Sequence, residues 1–379
     1  MVSIISKPDT IEKLEILSAD AQYDLACACG STKDEHRTRG ADGRWIYPIT
    51  LQTGGKASLF RTLFSNVCSN DCKYCPLRAQ MDLRRCSLTP EETANTFLDY
   101  YNAGKVFGMF LTSGVIGSAD ATMDRLNATA AILRKKYRFR GYIHLKVIPG
   151  ASDAAIEQSL SLASAVSLNI ETPGAEYFKT LSNKKNYEQD IIKPLKLISR
   201  LTDEGAKYEG VKHTTQFIVG AAGETDENIV HYTAALYERL KTDRVYFSSY
   251  QKGLGDPSLP GENTLSACVD ETFIREHRLY QIDFLFRKYG FEEQDIIFDQ
   301  NGNLSLNADP KELWAQNHPE FFPVSVNLAS KYELLRVPGL GPITANRILK
   351  MRKNGYISSI ESLGKFTALL QKTSKYLRF

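Results

Sequence analysis

Three of the chain's seven cysteines stand in one short stretch, Val67-Cys68-Ser69-Asn70-Asp71-Cys72-Lys73-Tyr74-Cys75-Pro76. Thiolates at this C-x3-C-x2-C spacing can hold an iron-sulfur cluster, and a four-iron cubane held by three of them keeps one iron open to an exchangeable ligand. An open iron implies catalysis rather than scaffolding. Structural zinc is the competing reading, but it requires a closed tetrahedral set. The loop contains no fourth Cys or His, and Cys86 is the only candidate nearby. Three inert buried thiols would not explain the polar residues Asn66, Ser69, Asn70, Asp71 and Lys73 around them. Cys27 and Cys29 form a second pair that cannot close a metal site alone; Cys86 and Cys268 could complete it, without a recognisable spacing.

Such a loop needs a scaffold, and residues 58–250 provide a regular one. Six short apolar runs read as strands: 58–64, 106–112, 142–148, 165–171, 213–219 and 244–250. Helical patterns between them open at Thr89-Pro90-Glu91-Glu92, at 118–120, at Ser152-Asp153 and at 224–227, where capping oxygens or acidic first turns suit a helix start. Alternating strand and helix imply a parallel sheet. Six βα units predict an α/β fold, a partial (β/α)6 barrel with its active site at the C-terminal ends of the strands. The cysteine loop follows the first strand, Ser113-Gly114 the second, Pro149-Gly150 the third and Gly220-Ala221-Ala222-Gly223 the fifth. Beyond the barrel the sequence predicts a helix over 270–289, a hairpin at Asn301-Gly302 between two β-like runs, and a helix-turn-helix over 330–352. The expected organisation is an N-terminal extension (1–50), the barrel (51–255), a connecting region (256–326) and a small all-α module (327–379).

At 379 residues the chain exceeds the ~250 to 300 at which single cores stop growing. Its 42% hydrophobic and 24% charged residues are those of an ordinary soluble protein. The formal net charge is +3, but residues 331–379 hold ten Lys and Arg against Glu333 and Glu361, a balance of +8 that leaves −5 elsewhere. A basic tail of this kind suits a polyanion. Clustered cysteines in so long a chain fit a reducing compartment, and no stretch approaches the ~18 apolar residues of a membrane span. The expectation is therefore a cytoplasmic protein, neither secreted nor membrane-inserted.

The cysteine loop resembles the signature of the radical S-adenosylmethionine superfamily, C-x3-C-x-aromatic-C after the first barrel strand. The resemblance implies a 4Fe-4S cluster on Cys68, Cys72 and Cys75, with Tyr74 beside it, whose open iron chelates S-adenosylmethionine. One-electron reduction then yields methionine and a 5′-deoxyadenosyl radical, while the protein positions and shields the reacting groups. It further implies cofactor contacts from Ser113 and Gly114, which stand where the family has a Gly-Gly-Glu-like segment, here without its acidic residue. Asn169 and Glu171 match positions contacting ribose and carboxylate, and alternation puts them on one strand face. Ile218 and Gly220 lie in Phe217-Ile218-Val219-Gly220-Ala221-Ala222-Gly223-Glu224-Thr225, similar to the family's G-x-I-x-G-x-x-G-E, with Gln216 in place of the first Gly. Lys146 is a candidate contact to a substrate or cofactor carboxylate. Arg275-Glu276-His277-Arg278 either reaches the site or forms a solvated helix face.

Leu334-Leu335-Arg336-Val337-Pro338-Gly339-Leu340-Gly341-Pro342-Ile343-Thr344-Ala345-Asn346-Arg347-Ile348 resembles a helix-hairpin-helix element. Gly339 and Gly341 would let the backbone approach a phosphate, and the following helix offers free N–H groups and its positive end. Thr344, Arg347, Lys350 and Lys353 would add sequence-independent contacts, because such an element reads the backbone and not the bases. The alternative is a tight αα-turn packed by Val337, Leu340 and Ile348. Ile360-Glu361-Ser362-Leu363-Gly364 resembles a second, degenerate copy. Together with Gly141-Tyr142-Ile143-His144-Leu145-Lys146-Val147-Ile148-Pro149-Gly150-Ala151-Ser152 and the 275–280 segment, the two modules resemble a group of DNA modification/repair radical S-adenosylmethionine proteins with a helix-hairpin-helix tail. That resemblance implies a radical reaction on a nucleic acid, DNA first, with an electron donor such as flavodoxin or ferredoxin. Two other readings stand beside it. One is a radical enzyme on RNA, a small molecule or a protein, with the hairpin as docking device. The other is a non-radical iron-sulfur, glycosylase-like DNA-binding protein, in which four cysteines near the hairpin would normally close the cluster.

Overall fold

The computed structural model describes residues 8–24, 45–50, 55–263, 269–363 and 368–379. Cys27, Cys29, Cys268 and Gly364 lie outside them. By internal contacts the chain divides into two units, 1–224 with 235–268, and 225–234 with 269–379.

In the first unit, helix α1 (Thr10–Asp20) precedes strand β1 (Ile46–Thr50). Then β2 (Lys56–Leu63), α2 (Pro90–Asn102), β3 (Gly108–Thr112), α3 (Ala119–Ala131), β4 (Tyr142–Lys146), α4 (Asp153–Leu162), β5 (Ala165–Ser167), α5 (Ala175–Leu181), α6 (Lys193–Thr202), β6 (Lys212–Val219), α7 (Asp226–Leu240, its residues 226–234 belonging to the second unit), β7 (Arg244–Ser249) and α8 (Pro260–Asn263) follow. The seven strands form one sheet in sequence order, β2 to β7 parallel and β1 antiparallel against β2. Six parallel strands joined by helices are the open (β/α)6 barrel expected. Strand β1 was not legible in the sequence because Pro48 interrupts it, and proline is tolerated only where a ladder has a free edge.

Capping explains why the helices begin where they do. Thr89 Oγ1 accepts the Glu92 N–H at 3.1 Å while the Glu92 carboxylate accepts the Thr89 N–H at 2.7 Å. Ser118 and Ser152 cap α3 and α4 through the N–H groups of Ala121 and Ala155. One face of the sheet packs on helices through Phe60, Met109, Leu111, Ile143, Leu145 and Val166, all buried. Alternation puts a polar and aromatic row on the other face: Arg61, Phe110 and His144 pair across β2, β3 and β4, with the Arg61 guanidinium 4.5 Å from the Phe110 ring.

Strand β5 ends at Ser167, four residues short of the predicted limit. Pairing with β6 slips by one residue between Ser167↔Thr214 and the isolated bridge Glu171↔Phe217. Glu171 takes up the slip in a left-handed conformation, φ +66°.

In the second unit, α9 (Val269–Phe284) and α10 (Pro310–Asn317) precede β8 (Val324–Ser325), α11 (Lys331–Arg336), α12 (Pro342–Met351), α13 (Ala368–Ser374) and β9 (Leu377–Arg378). The predicted helix over 270–289 ends in a π-turn, Leu285–Tyr289, capped by left-handed Gly290. The Asn301-Gly302 signal gives a turn without flanking strands: the Asp299 carboxylate accepts the N–H groups of Asn301 and Asn303, closing the loop on itself. The hairpin between α11 and α12 appears as expected. Val337, Leu340, Ala345 and Ile348 bury together with Leu334, Ile357 and Leu363, and parallel β8 and β9 add a two-residue ribbon to this helical module.

Candidate active site

The loop carrying Cys68, Cys72 and Cys75 leaves the C-terminal end of β2 and is held by long side chains on its carbonyls. Arg85 donates to Leu77 O at 2.8 Å, to Arg78 O and Met81 O at 3.0 Å each, and to Asn66 O. Arg78 donates to Cys75 O and Leu254 O at 3.1 Å. Buried Asp71 accepts Ser182 Oγ at 2.5 Å and the Asn183 N–H at 2.9 Å. Burial works to raise the Asp71 pKa, but these bonds outweigh it and hold the carboxylate below its usual range. The polar residues around the cysteines are thus the clamps that shape the loop.

The three thiols lie within electrostatic reach of one another. Burial, and then the charge of Cys72, pushes the Cys75 thiol up to about 12; burial also raises Cys72. Burial thus favours the protonated form of Cys72 and Cys75, and a bound metal would have to displace those protons. Among the described residues no three His, Cys, Asp or Glu converge as a single bound ion requires. A cubane asks for one thiolate per iron, not for three on one ion. Cys86, the candidate fourth ligand, sits apart, its N–H on Asn66 Oδ1 and its thiol near Asp20 and Lys13.

Sequence reasoning missed Lys185. Its ammonium hydrogen-bonds Cys72 and lies near Glu171 and Cys68; loss of solvent would lower its pKa, but these neighbours hold it above the ordinary lysine value. Nothing in the local sequence Asn183-Lys184-Lys185-Asn186 separates this lysine from a surface one. Only the fold brings it to the cysteines.

Tyr74 Oη donates to Glu171 Oε1 at 2.7 Å, and Asn169 Nδ2 to Glu171 Oε2 at 3.4 Å. Asn169 and Glu171 therefore meet, though through the register slip and not through plain alternation. Burial, then the Glu171 charge, raises the Tyr74 pKa well above its usual value. Gly114 is required sterically: a Cβ there would stand 2.4 Å from the Val67 carbonyl oxygen, and its N–H is committed to Ser65 O at 2.7 Å. Ser113 Oγ and Gln216 Nε2 are buried without a hydrogen-bond partner, and a buried group left unmatched costs about 1–3 kcal/mol. Two such groups near the cysteine and Glu171 loops fit a site completed by a polar cofactor. Ile218 and Tyr74 belong to an apolar wall with Leu181, Ala221, Tyr250 and Leu259. The Gly220 N–H is turned onto the Glu224 carboxylate, which also accepts the Ala222 N–H at 3.1 Å. Lys146 ends β4, paired with Ser167, on the face of His144.

Arg275-Glu276-His277-Arg278 is not a solvated helix face: Glu276 is buried and both arginines are engaged. Arg275 Nε donates to Asp226 Oδ1 at 2.6 Å, and Arg278 donates to the carbonyls of Ser305 and Leu306 at 3.0 Å each. These residues brace the second unit.

In the hairpin, Gly339 is left-handed (φ +82°) and Gly341 is the N-cap of α12 with no side chain capping it. The first N–H groups of α12 thus have no side-chain partner. Lys350 is exposed and Thr344 half-buried. Arg347 turns its guanidinium onto the Leu363 carbonyl, which ties α12 to the short turn Ile360–Leu363.

A cysteine loop at the mouth of a parallel half-barrel defines the class: residues 62–235 match the Radical SAM superfamily, and residues 321–378 match the helix-hairpin-helix motif. Residues 62–235 are thus a radical SAM domain, of the family that works with a 4Fe-4S cluster and S-adenosylmethionine. Comparison with curated proteins gives no match. Among solved structures, it is similar to the FeFe-hydrogenase maturase HydG from Carboxydothermus hydrogenoformans, with 16% identity and a TM-score of 0.46 over 60% of this chain and 51% of that one. Methylornithine synthase (PylB) gives 17% and 0.45 over 59% and 62%. The chain spans less than two thirds of either. Among the described residues no helix is long and apolar enough to cross a membrane.

Proposed function

We propose that this enzyme carries out a radical reaction on a nucleic acid, in DNA modification or repair, gripping the phosphate backbone with its C-terminal hairpin. The observation that carries the reading is the joining, in one chain, of the radical SAM domain to a helix-hairpin-helix motif at 321–378. In this reading Cys68, Cys72 and Cys75 hold the cluster, and Lys185 offsets the negative charge that gathers there. Glu171, oriented by Tyr74 and Asn169, together with Ser113 and Gln216, offers polar contacts to S-adenosylmethionine, with Ile218 against its adenine. The bound pair supplies one chemistry, reductive cleavage of S-adenosylmethionine to methionine and a 5′-deoxyadenosyl radical, the electron coming from a donor such as flavodoxin or ferredoxin. The wall of Leu181, Ile218, Ala221, Tyr250 and Leu259 keeps water from the reacting atoms. Gly339, Gly341 and Thr344 present backbone N–H groups to phosphate, and Lys350 adds charge.

The test is 5′-deoxyadenosine release by the anaerobically reconstituted enzyme with dithionite and S-adenosylmethionine, with and without DNA or RNA. Stimulation by nucleic acid is expected, falling towards none in Gly339→Val with Lys350→Glu. Release indifferent to every nucleic acid offered would overturn the reading.

A further inference from the structure

Beside the hairpin, the same unit carries a second feature that the motif does not account for. An open groove of about 680 Å³ lies at the far end of α12, lined by Leu328, Arg352, Lys353, Tyr356, Arg378 and Phe379 among others. None of its lining side chains is acidic, and three are cationic. Tyr356 is 75% exposed and Leu328 81% exposed, so an aromatic ring stands free in solvent at the edge of a cationic groove.

The groove is built rather than incidental. Asn327 brackets the opposite wall, its Nδ2 donating to Ile357 O and its Oδ1 accepting the Ile357 N–H, both at 2.9 Å. Arg352 Nη1 donates to Ala329 O at 2.5 Å, which fixes that cation at the edge. The floor is the β8–β9 ribbon, with Val326 N–H on Arg378 O at 2.8 Å. Loop 352–357 is thus pinned at both ends while the Tyr356 ring stays outside.

We infer that this groove is a binding site for unpaired nucleic acid, in which Tyr356 stacks on a base while Lys353 and Arg378 meet the adjoining phosphates. Aromatic rings beside a cationic track are the combination that holds single strands without reading sequence, since every base has a π face. The site also supplies what the hairpin cannot. The hairpin holds phosphates at the N-terminus of α12, and the groove lies at its C-terminus, about 15 Å further along the axis. A radical enzyme working on a base needs that base out of the duplex, and a stacking platform next to a phosphate grip holds the strand in that state. The inference rests on the proposed nucleic-acid function and deepens it.

The experiment is fluorescence anisotropy on the full-length protein with a short labelled single strand and with the duplex of the same sequence. Tyr356→Ala is expected to weaken single-strand binding about five-fold or more and to leave duplex binding unchanged, while Tyr356→Phe, which keeps the ring, restores it. Lys353→Ala should reduce the salt slope for the single strand by about 0.7. Unchanged single-strand binding in Tyr356→Ala, or an equal loss for duplex, overturns the groove and leaves the hairpin reading standing. Failure of the wild type to bind either strand overturns both.

Discussion

Glu171 is the residue on which the cofactor end of the proposed site turns. It is 4% exposed, left-handed at φ +66°, and bonded to Tyr74 and Asn169. A non-glycine residue held there costs about 1–3 kcal/mol, and the return on that strain is a carboxylate aimed at the cysteine loop. Glu171→Gln keeps the shape and removes the charge, so S-adenosylmethionine affinity should fall about ten-fold or more, the worth of a charge-assisted hydrogen bond. Calorimetric titration of the reconstituted enzyme checks it; unchanged affinity would place the carboxylate outside the cofactor site. Cys72→Ala should lose most of the iron bound on reconstitution, as read by iron content and the cluster's visible absorbance, and with it 5′-deoxyadenosine release. The cysteines were legible because spacing along the chain is itself the signal. Lys185 was not, because its partner Cys72 lies far from it in sequence and nothing local marks it.

At the scale of elements, what the sequence disclosed follows from periodicity and caps: all six predicted strands, the fourth cut short, the Thr89, Ser118 and Ser152 helix starts, and the hairpin. What it hid were departures from regularity. Pro48 disguised an edge strand, and the slip after Ser167 cut β5 short where alternation alone would run on. One buried contact between elements gives a pH-dependent test. Lys311 of α10 donates to Leu340 O in the hairpin at 2.6 Å, and burial pulls its pKa from 10.5 to about 7. Below about 7 the folded unit must carry that charge in a poor environment. Between about 7 and 10.5 the unfolded chain still binds the proton and the folded one does not, so stability rises with pH across that window, by about 5 kcal/mol at most. As pH falls, that gain is lost between about 10.5 and 7, and below about 7 nothing further is lost because both states carry the proton. Lys311→Met should flatten the profile in denaturant titrations from neutral to pH 10; a profile identical to wild type would contradict the assignment. Gly339→Ala, forcing a Cβ into φ +82°, should destabilise the same unit by about 1–2 kcal/mol.

Over the whole molecule the charge of +8 in residues 331–379 was the plain hint of a polyanion, but the fold redistributes it. Arg336 is buried, 3.9 Å from the Phe291 ring and paired with Asp295 at 2.9 Å. Lys372 pairs with Glu312, and Arg347 and Arg352 serve backbone carbonyls. Lys331, Lys350, Lys353, Lys375 and Arg378 remain exposed. Counting charges in sequence could not separate anchors from contacts, because an arginine among aromatic rings has the same letter as one facing phosphate. Nucleic-acid affinity should therefore fall linearly with the logarithm of salt, by about 0.9 per duplex phosphate contact. The central claim is that the radical generated in the barrel reaches a nucleic acid. The most direct measurement is mass spectrometry of the 5′-deoxyadenosine released when the enzyme turns over with uniformly deuterated DNA, single-stranded and duplex. Deuterium carried from the DNA into 5′-deoxyadenosine is the expected result, while release that stays free of deuterium with every form of DNA would contradict a reaction on it.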